Sequence, residues 1–182
     1  MQRPFLNRLT FSAILLLGAQ GAMAQSVYGE LGYAAMSSKL SVPLIGLSAT
    51  AKPTMARALV GVSVLGLSIE GIASGSLSSD NFLGNGLNAT SLGKAEVSQI
   101  LGVYVGSHLG LGPVEIFGRV GTAKSKVKFN GIGTSDDTDL SYGAGVRLLP
   151  AGNLTLSADY MNYLNKGGAR IEGYTLSVGY KF

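Results

Sequence analysis

Cysteine is missing from this sequence altogether. Disulfide staples and thiolate metal sites are therefore excluded, and stability has to come from packing and hydrogen bonding. Beyond the first two dozen residues there is also no apolar run near the roughly 20 residues that a membrane-spanning helix requires. A helical membrane protein is excluded. Charge is scarce at 13% of residues, tryptophan is absent, and histidine occurs once, as His108. Against these absences stand a 46% hydrophobic content, 27 glycines and a mean hydropathy of +0.32. A chain that is apolar without apolar runs must spread its hydrophobic residues by alternation.

The N-terminus has the make-up of a secretory leader. Arg3 and Arg8 form a positive n-region, Phe11 to Leu17 an apolar h-region, and Ala22-Met23-Ala24 a small-x-small cleavage site. Residues 1–24 are thus predicted to be a signal peptide cleaved after Ala24, and residues 25–182 one domain. The leader takes two of the fourteen bases and none of the ten acids, so the remainder carries only a small positive charge. Nothing calls for nucleic acid, and no pattern calls for a cofactor.

Period-2 alternation recurs in eight segments. Val27, Leu31, Tyr33 and Ala35 oppose Glu30, Gly32 and Ala34; Ala56, Ala58, Val60 and Val62 oppose Arg57, Gly61 and Ser63; Leu65, Leu67 and Ile69 oppose Ser68, Glu70 and Ser74. Val97, Leu101, Val103 and Val105 oppose Glu96, Ser98 and Gly102, with Gln99 the one polar residue out of place. Val114, Ile116 and Val120 oppose Glu115, Arg119 and Gly121, and the sixth segment sets Leu140, Tyr142, Ala144, Val146 and Leu148 against Ser141, Gly143, Gly145 and Arg147. Leu154, Leu156, Ala158 and Tyr160 oppose Thr155, Ser157 and Asp159, and Tyr174, Leu176, Val178, Tyr180 and Phe182 oppose Gly173, Thr175, Ser177, Gly179 and Lys181.

The polar face carries Glu30, Arg57, Glu70, Glu96, Glu115, Arg119, Arg147, Asp159 and Lys181, five acids against four bases among small residues. Glycine and serine make a poor solvated surface, whereas a narrow barrel lumen needs small side chains and paired charges. Longer polar connections, Ser37 to Lys52, Gly75 to Gly93, Lys124 to Asp139 and Leu164 to Arg170, alternate with short turns at Val64 to Gly66, His108 to Pro113 and Pro150 to Asn153. That rhythm belongs to outer-membrane barrels, with long loops outside and short turns in the periplasm. An open sheet edge is untenable in lipid, so the first and last segments must pair. The predicted fold is all-β, an eight-stranded antiparallel up-and-down transmembrane barrel.

Three consecutive stretches resemble a known group. Leu140-Ser141-Tyr142-Gly143-Ala144-Gly145-Val146-Arg147, then Leu154-Thr155-Leu156-Ser157-Ala158-Asp159-Tyr160, and a closing Tyr174-x-Leu-x-Val-x-Tyr180-x-Phe182 look like the last three strands of the OmpA-like, or opacity-type, eight-stranded outer-membrane barrels. The likeness implies residence in the outer membrane of a Gram-negative bacterium. It also implies that Tyr174, Leu176, Val178, Tyr180 and Phe182 form the signal read by the outer-membrane assembly machinery. The family's peptidoglycan-binding domain would follow the barrel, and the sequence stops at Phe182, so only the barrel domain is expected.

Candidate chemistry is sparse. A lipid-modifying barrel enzyme needs a nucleophile and a histidine base near the outer surface, but His108 is expected in a solvated periplasmic turn, so no enzyme is predicted. Asp136, Asp137 and Asp139 lack the ligand spacing and turn glycine of a calcium loop, and no metal is called for. Lys124, Lys126 and Lys128 continue the outward parity of Val120 beyond the apolar band, where they are expected to meet lipopolysaccharide phosphates or simply to extend a solvated strand. The apolar stretch Leu40, Val42, Leu44, Ile45 and Leu47 marks a surface contact site, a cap over the barrel mouth or a prolonged strand. Asn88-Ala89-Thr90 matches a glycosylation sequon of little weight in a bacterial barrel. The expected function is a monomeric structural barrel with surface-exposed loops, serving adhesion to a host or surface ligand or envelope integrity; the alternative is a narrow pore or carrier for small apolar solutes, with a lipid-modifying enzyme a distant third. The inward charges are expected to plug the lumen.

Overall fold

Successive side chains of a pleated strand point to opposite faces, and this chain turns that rule into a closed wall. A computed structural model describes residues 25–42, 47–78, 80–81, 83–85, 94–129, 133–150 and 152–182. The leader residues 1–24 and the sequon lie outside the described residues. Eight strands form the wall: β1 (Gln25–Val42), β2 (Thr54–Val64), β3 (Leu67–Ser78), β4 (Lys94–Leu111), β5 (Val114–Phe129), β6 (Gly133–Leu148), β7 (Leu154–Lys166) and β8 (Ala169–Lys181). Each pairs antiparallel with its neighbour in sequence, and β8 pairs with β1 from Tyr28↔Lys181 to Leu40↔Ala169, which closes the barrel. Three short strands, Leu47–Ala51, Asp80–Asn81 and Leu83–Asn85, attach at the outer end.

Membrane crossing needs about 9–11 tilted residues, so strands of 16 and 18 residues such as β4, β5 and β6 rise well above the bilayer. The described residues of the polar connections expected as long loops are therefore largely strand. Val42 pairs with Leu47, and the last connection is a two-residue turn in which Gly167 and Gly168 take φ of 61° and 82°. Of the apolar stretch, Leu40, Val42 and Leu47 prolong paired strands, while Leu44 and Ile45 are outside the described residues. At the other end β2 turns into β3 through Leu65 and Gly66, both left-handed with φ of 52° and 81°, the mirror-type turn that matches strand twist.

The orientation of the wall is inverted relative to a soluble protein. Leu176 and Ile69 are 69% and 67% exposed on the outer face, while Arg57, Arg147 and Glu70 are buried inside. The tightest packing follows the lumen: a Cβ added to Gly121 would fall 2.0 Å from the Val103 carbonyl oxygen, so only glycine fits beside Tyr104 there.

Candidate functional site

The lumen has two layers. In the periplasmic layer every wall strand contributes a group to one chain of contacts whose charges alternate. Arg57 (β2) binds Asp159 (β7) with both terminal nitrogens, Nη1 at 2.7 Å from Oδ1, and Nη2 also reaches Ser177 Oγ at 3.2 Å. Arg119 (β5) lies 3.9 Å from Asp159 and 2.9 Å from Glu70 (β3). It makes no aligned hydrogen bond among the described residues and is held by these charges and by the Phe117 ring, 4.6 Å away. Glu70 accepts from the Tyr28 hydroxyl. His108 (β4) sits 3.4 Å from Glu70, 2.8 Å from Ser68 Oγ and 3.0 Å from Glu115 (β5). Arg147 (β6) bridges Glu115 and Glu30 (β1), donating Nε and Nη2 to Glu30 Oε1 at 2.8 and 2.6 Å, and Lys181 (β8) donates to Glu115 at 2.9 Å.

Eight of the nine predicted lumen charges are brought together, four acids against four bases. Glu96 is the exception: a bulge between Val97 and Gln99 breaks the parity that placed it inward, and its side chain is outside the described ones. The same bulge accounts for Gln99 and Val97. Past it Val97 turns into the lumen and is buried, while Gln99 joins the outward row of Leu101 and Val103. A second bulge between Asn162 and Leu164 buries Asn162, Tyr163 and Leu164 in succession.

His108 needs a correction. It was expected to be solvated in a turn, but β4 runs on to Leu111, His108 pairs with Phe117 across the hairpin, and its side chain points into the lumen with 6% exposure. Flanking Gly106 and Gly110 gave the segment the look of a turn.

The outer layer of the lumen, unlike the charged interior expected, is mainly apolar, with the small polar groups Ser74, Ser125, Ser141 and Asn162 buried among its side chains. Met36, Met55, Ile100, Met161, Tyr163 and Ile171 form one buried cluster with Ala34, Leu59, Ile72, Val97 and Tyr104. Side chains fill an eight-stranded barrel, and here thioethers and aliphatic groups adapt to its irregular bore.

Outside, the barrel carries two aromatic levels. Tyr180 and Phe182 touch at 5.1 Å near the periplasmic end, and Tyr160 and Tyr174 at 5.2 Å near the outer end. Tyr174 to Phe182 spans about 20 Å along the normal for a strand tilted by about 40°, which fits an apolar band of about 25 Å. Immediately beyond Tyr174, Glu172 takes the Tyr160 hydroxyl at 2.6 Å and Arg170 at 2.7 Å, with Lys39 at 3.8 Å. The Tyr160 hydroxyl, followed by the Arg170 charge, holds Glu172 below the ordinary carboxylate range. This cluster goes unnoticed in the sequence because Leu164 to Arg170 reads as a loop, which hides the hairpin that sets Tyr160 beside Glu172 and Arg170, and because Lys39 joins them only on closure.

Lys124 and Lys126 project outward at the corresponding height, and Lys128 continues the strand with its side chain outside the described ones. Lys124 pairs with Asp136 at 2.9 Å. Asp139 accepts from the backbone N–H groups of Leu140 and Asn165 at 2.8 and 2.9 Å, tying β6 to β7. The terminal strand places Tyr174, Leu176, Val178, Tyr180 and Phe182 on the lipid face, and the Phe182 N–H donates to Val27 O at 2.8 Å.

The sequence profile of the family described as the outer membrane protein beta-barrel domain matches residues 9–182. The chain belongs to that family. It is accordingly an outer-membrane protein of Gram-negative type. Among solved structures it is similar to the Pseudomonas aeruginosa outer membrane protein OprG, at TM-score 0.63 and 14% identity over 91% of this chain and 99% of that one. It is also similar to the Yersinia pestis attachment invasion locus protein Ail, solved with the heparin analogue sucrose octasulfate, at TM-score 0.60 and 20% identity over 88% and 100%. Neisserial surface protein A matches at TM-score 0.58 and 19% identity over 86% and 97%. At these identities the likeness concerns the fold. No curated protein matches the sequence.

Proposed function

We propose that this barrel is a non-conducting, monomeric structural element of the outer membrane that works through its outer surface, in surface adhesion or envelope integrity. The observation that carries this reading is the two-layered plug: above a salt-bridged periplasmic layer, the side chains of Met55, Ile100, Met161 and Tyr163 are almost wholly buried and fill the bore. Strands that rise beyond the bilayer carry the described part of the outer end above the lipid, where it is open to contact. In this reading residues 1–24 are the export leader, removed after Ala24, and the terminal strand from Tyr174 to Phe182 is the element read by the assembly machinery.

A catalytic role is not assigned. His108 is engaged by Ser68 and Glu115 at the periplasmic end, away from substrates of the outer leaflet. A carrier for small apolar solutes would have to displace the Met55 and Met161 plug. The test is twofold. Planar-bilayer recordings should show no large steady conductance, and a deletion strain should lose adhesion or gain detergent sensitivity. A steady open channel in the first experiment would replace this reading with a pore.

A further inference from the structure

On the lipid-facing wall the strand register sets residues in rows. One row runs Tyr33, Ala56, Gly75, Gln99, Lys126, and the next runs Leu31, Ala58, Ala73, Leu101, Lys124. Large side chains on β1 and β4 thus flank a stretch of β2 and β3 that presents only Ala56, Ala58, Ala73 and Gly75, continued by Gly71 toward mid-membrane. The result is a trough of about 760 Å³ whose outer end is bordered by Gln99 and Lys126, within the size range of small-ligand sites.

The two glycines serve no need of the backbone. A Cβ at Gly75 would meet nothing within 4 Å, and at Gly71 only Val60 Cγ2 at 3.7 Å. Neither has a left-handed φ. Glycine weakens a strand interior and marks a bulge, a bend or a close approach to the backbone; a bulge at Leu77 lies two positions past Gly75, whereas Gly71 stands in regular pairing with room beside it on the membrane side. At the trough's head Lys124 is neutralised by Asp136, whereas Lys126 has no ion pair among the described residues.

We propose that this wall binds the lipid A portion of lipopolysaccharide, with one acyl chain in the trough and a phosphate on Lys126 beside the Gln99 amide. The occupant follows from the two parts of the trough: a floor of small residues open to the bilayer and, at outer headgroup height, a cation with no ion pair among the described residues. The inference is independent of whether the lumen conducts.

The test uses protein extracted from outer membranes in mild detergent, with retained lipid A quantified by mass spectrometry and folding checked by heat-dependent gel mobility. G71L/G75L fills the trough where the backbone has room, and should lower retention about threefold, the scale of losing a handful of dispersion contacts. K126Q should lower it about fivefold, the scale for one base at an anionic lipid surface. Added to delipidated protein, dephosphorylated lipid A should bind wild type and K126Q alike, while the phosphorylated form favours wild type. Unchanged retention in folded G71L/G75L, or phosphatidylglycerol binding as tight as lipid A, overturns the proposal. So does a dimer that G71L/G75L dissolves, which would assign the trough to a second copy.

Discussion

Arg57 and Asp159 are 102 positions apart in the chain yet face each other across the lumen in a two-pronged ion pair, with Nη1 2.7 Å from Oδ1. The pair ties β2 to β7, strands that share no backbone ladder. Its worth lies in specificity more than in net energy, because taking two charges out of water offsets most of their attraction.

Breaking that pair from one side should therefore cost far more than removing it. D159N leaves the Arg57 guanidinium buried without its partner, and unfolding in urea, followed by gel mobility, should show a loss of about 3–5 kcal/mol. Replacing both residues by leucine should restore much of that loss. Equal destabilisation by the single and double variants would contradict the account.

The apolar layer, rather than the charges, is expected to be the tighter seal. Truncating Met55 and Met161 together to alanine opens the bore where no ion pair can span it. Small-ion conductance in planar bilayers should rise from background, whereas a K181Q variant, at the partly exposed rim, should remain silent.

Asp139 fastens the outer tips of β6 and β7. The Asn165 and Leu140 N–H groups, in that order, hold its carboxyl below the ordinary aspartate range, so the fastening is present at neutral pH and is lost as pH falls below about 3.9 and through the depressed value. Amide hydrogen exchange at Asn165 should accelerate over that acid window. D139A should show fast exchange there at every pH without altering the heat-dependent mobility of the barrel, and slow exchange in D139A would rule the fastening out.

Phe182 separates delivery from folding. F182A should leave refolding in detergent nearly unchanged, since the ring rests on Tyr180 at the lipid surface, but should reduce the amount of barrel assembled in outer membranes of living cells. A similar drop in both settings would mark the residue as structural only.

Much of the wall was legible because parity is a strict code: a residue two along faces the same side, and lipid demands apolar groups there while the lumen demands small or paired ones. Glu30, Arg57, Glu70, Glu115, Arg119, Arg147, Asp159 and Lys181 followed from that code. It failed at Val97, and at the other bulge it does not account for the burial of Asn162 and Leu164, because one inserted residue resets the parity and nothing in a single sequence marks a bulge. It was also silent about the apolar layer, since parity names the side on which Met55 or Ile100 points and not what surrounds it there. Strand extensions above the membrane were taken for loops for a similar reason: out of the lipid, the outward face becomes polar and alternation fades while the ladder continues.

Closure of β8 onto β1 sets Phe182 beside Val27, so the strand order is a ring without a privileged first member. A circular permutant joined through that seam and opened at Gly167-Gly168 would keep every rung of the ladder while moving the aromatic strand from last place to first. Such a molecule, with its aromatic strand now the first element and no longer the last, should refold as a barrel in detergent yet arrive poorly at the outer membrane, because the address would no longer stand at the end of the text.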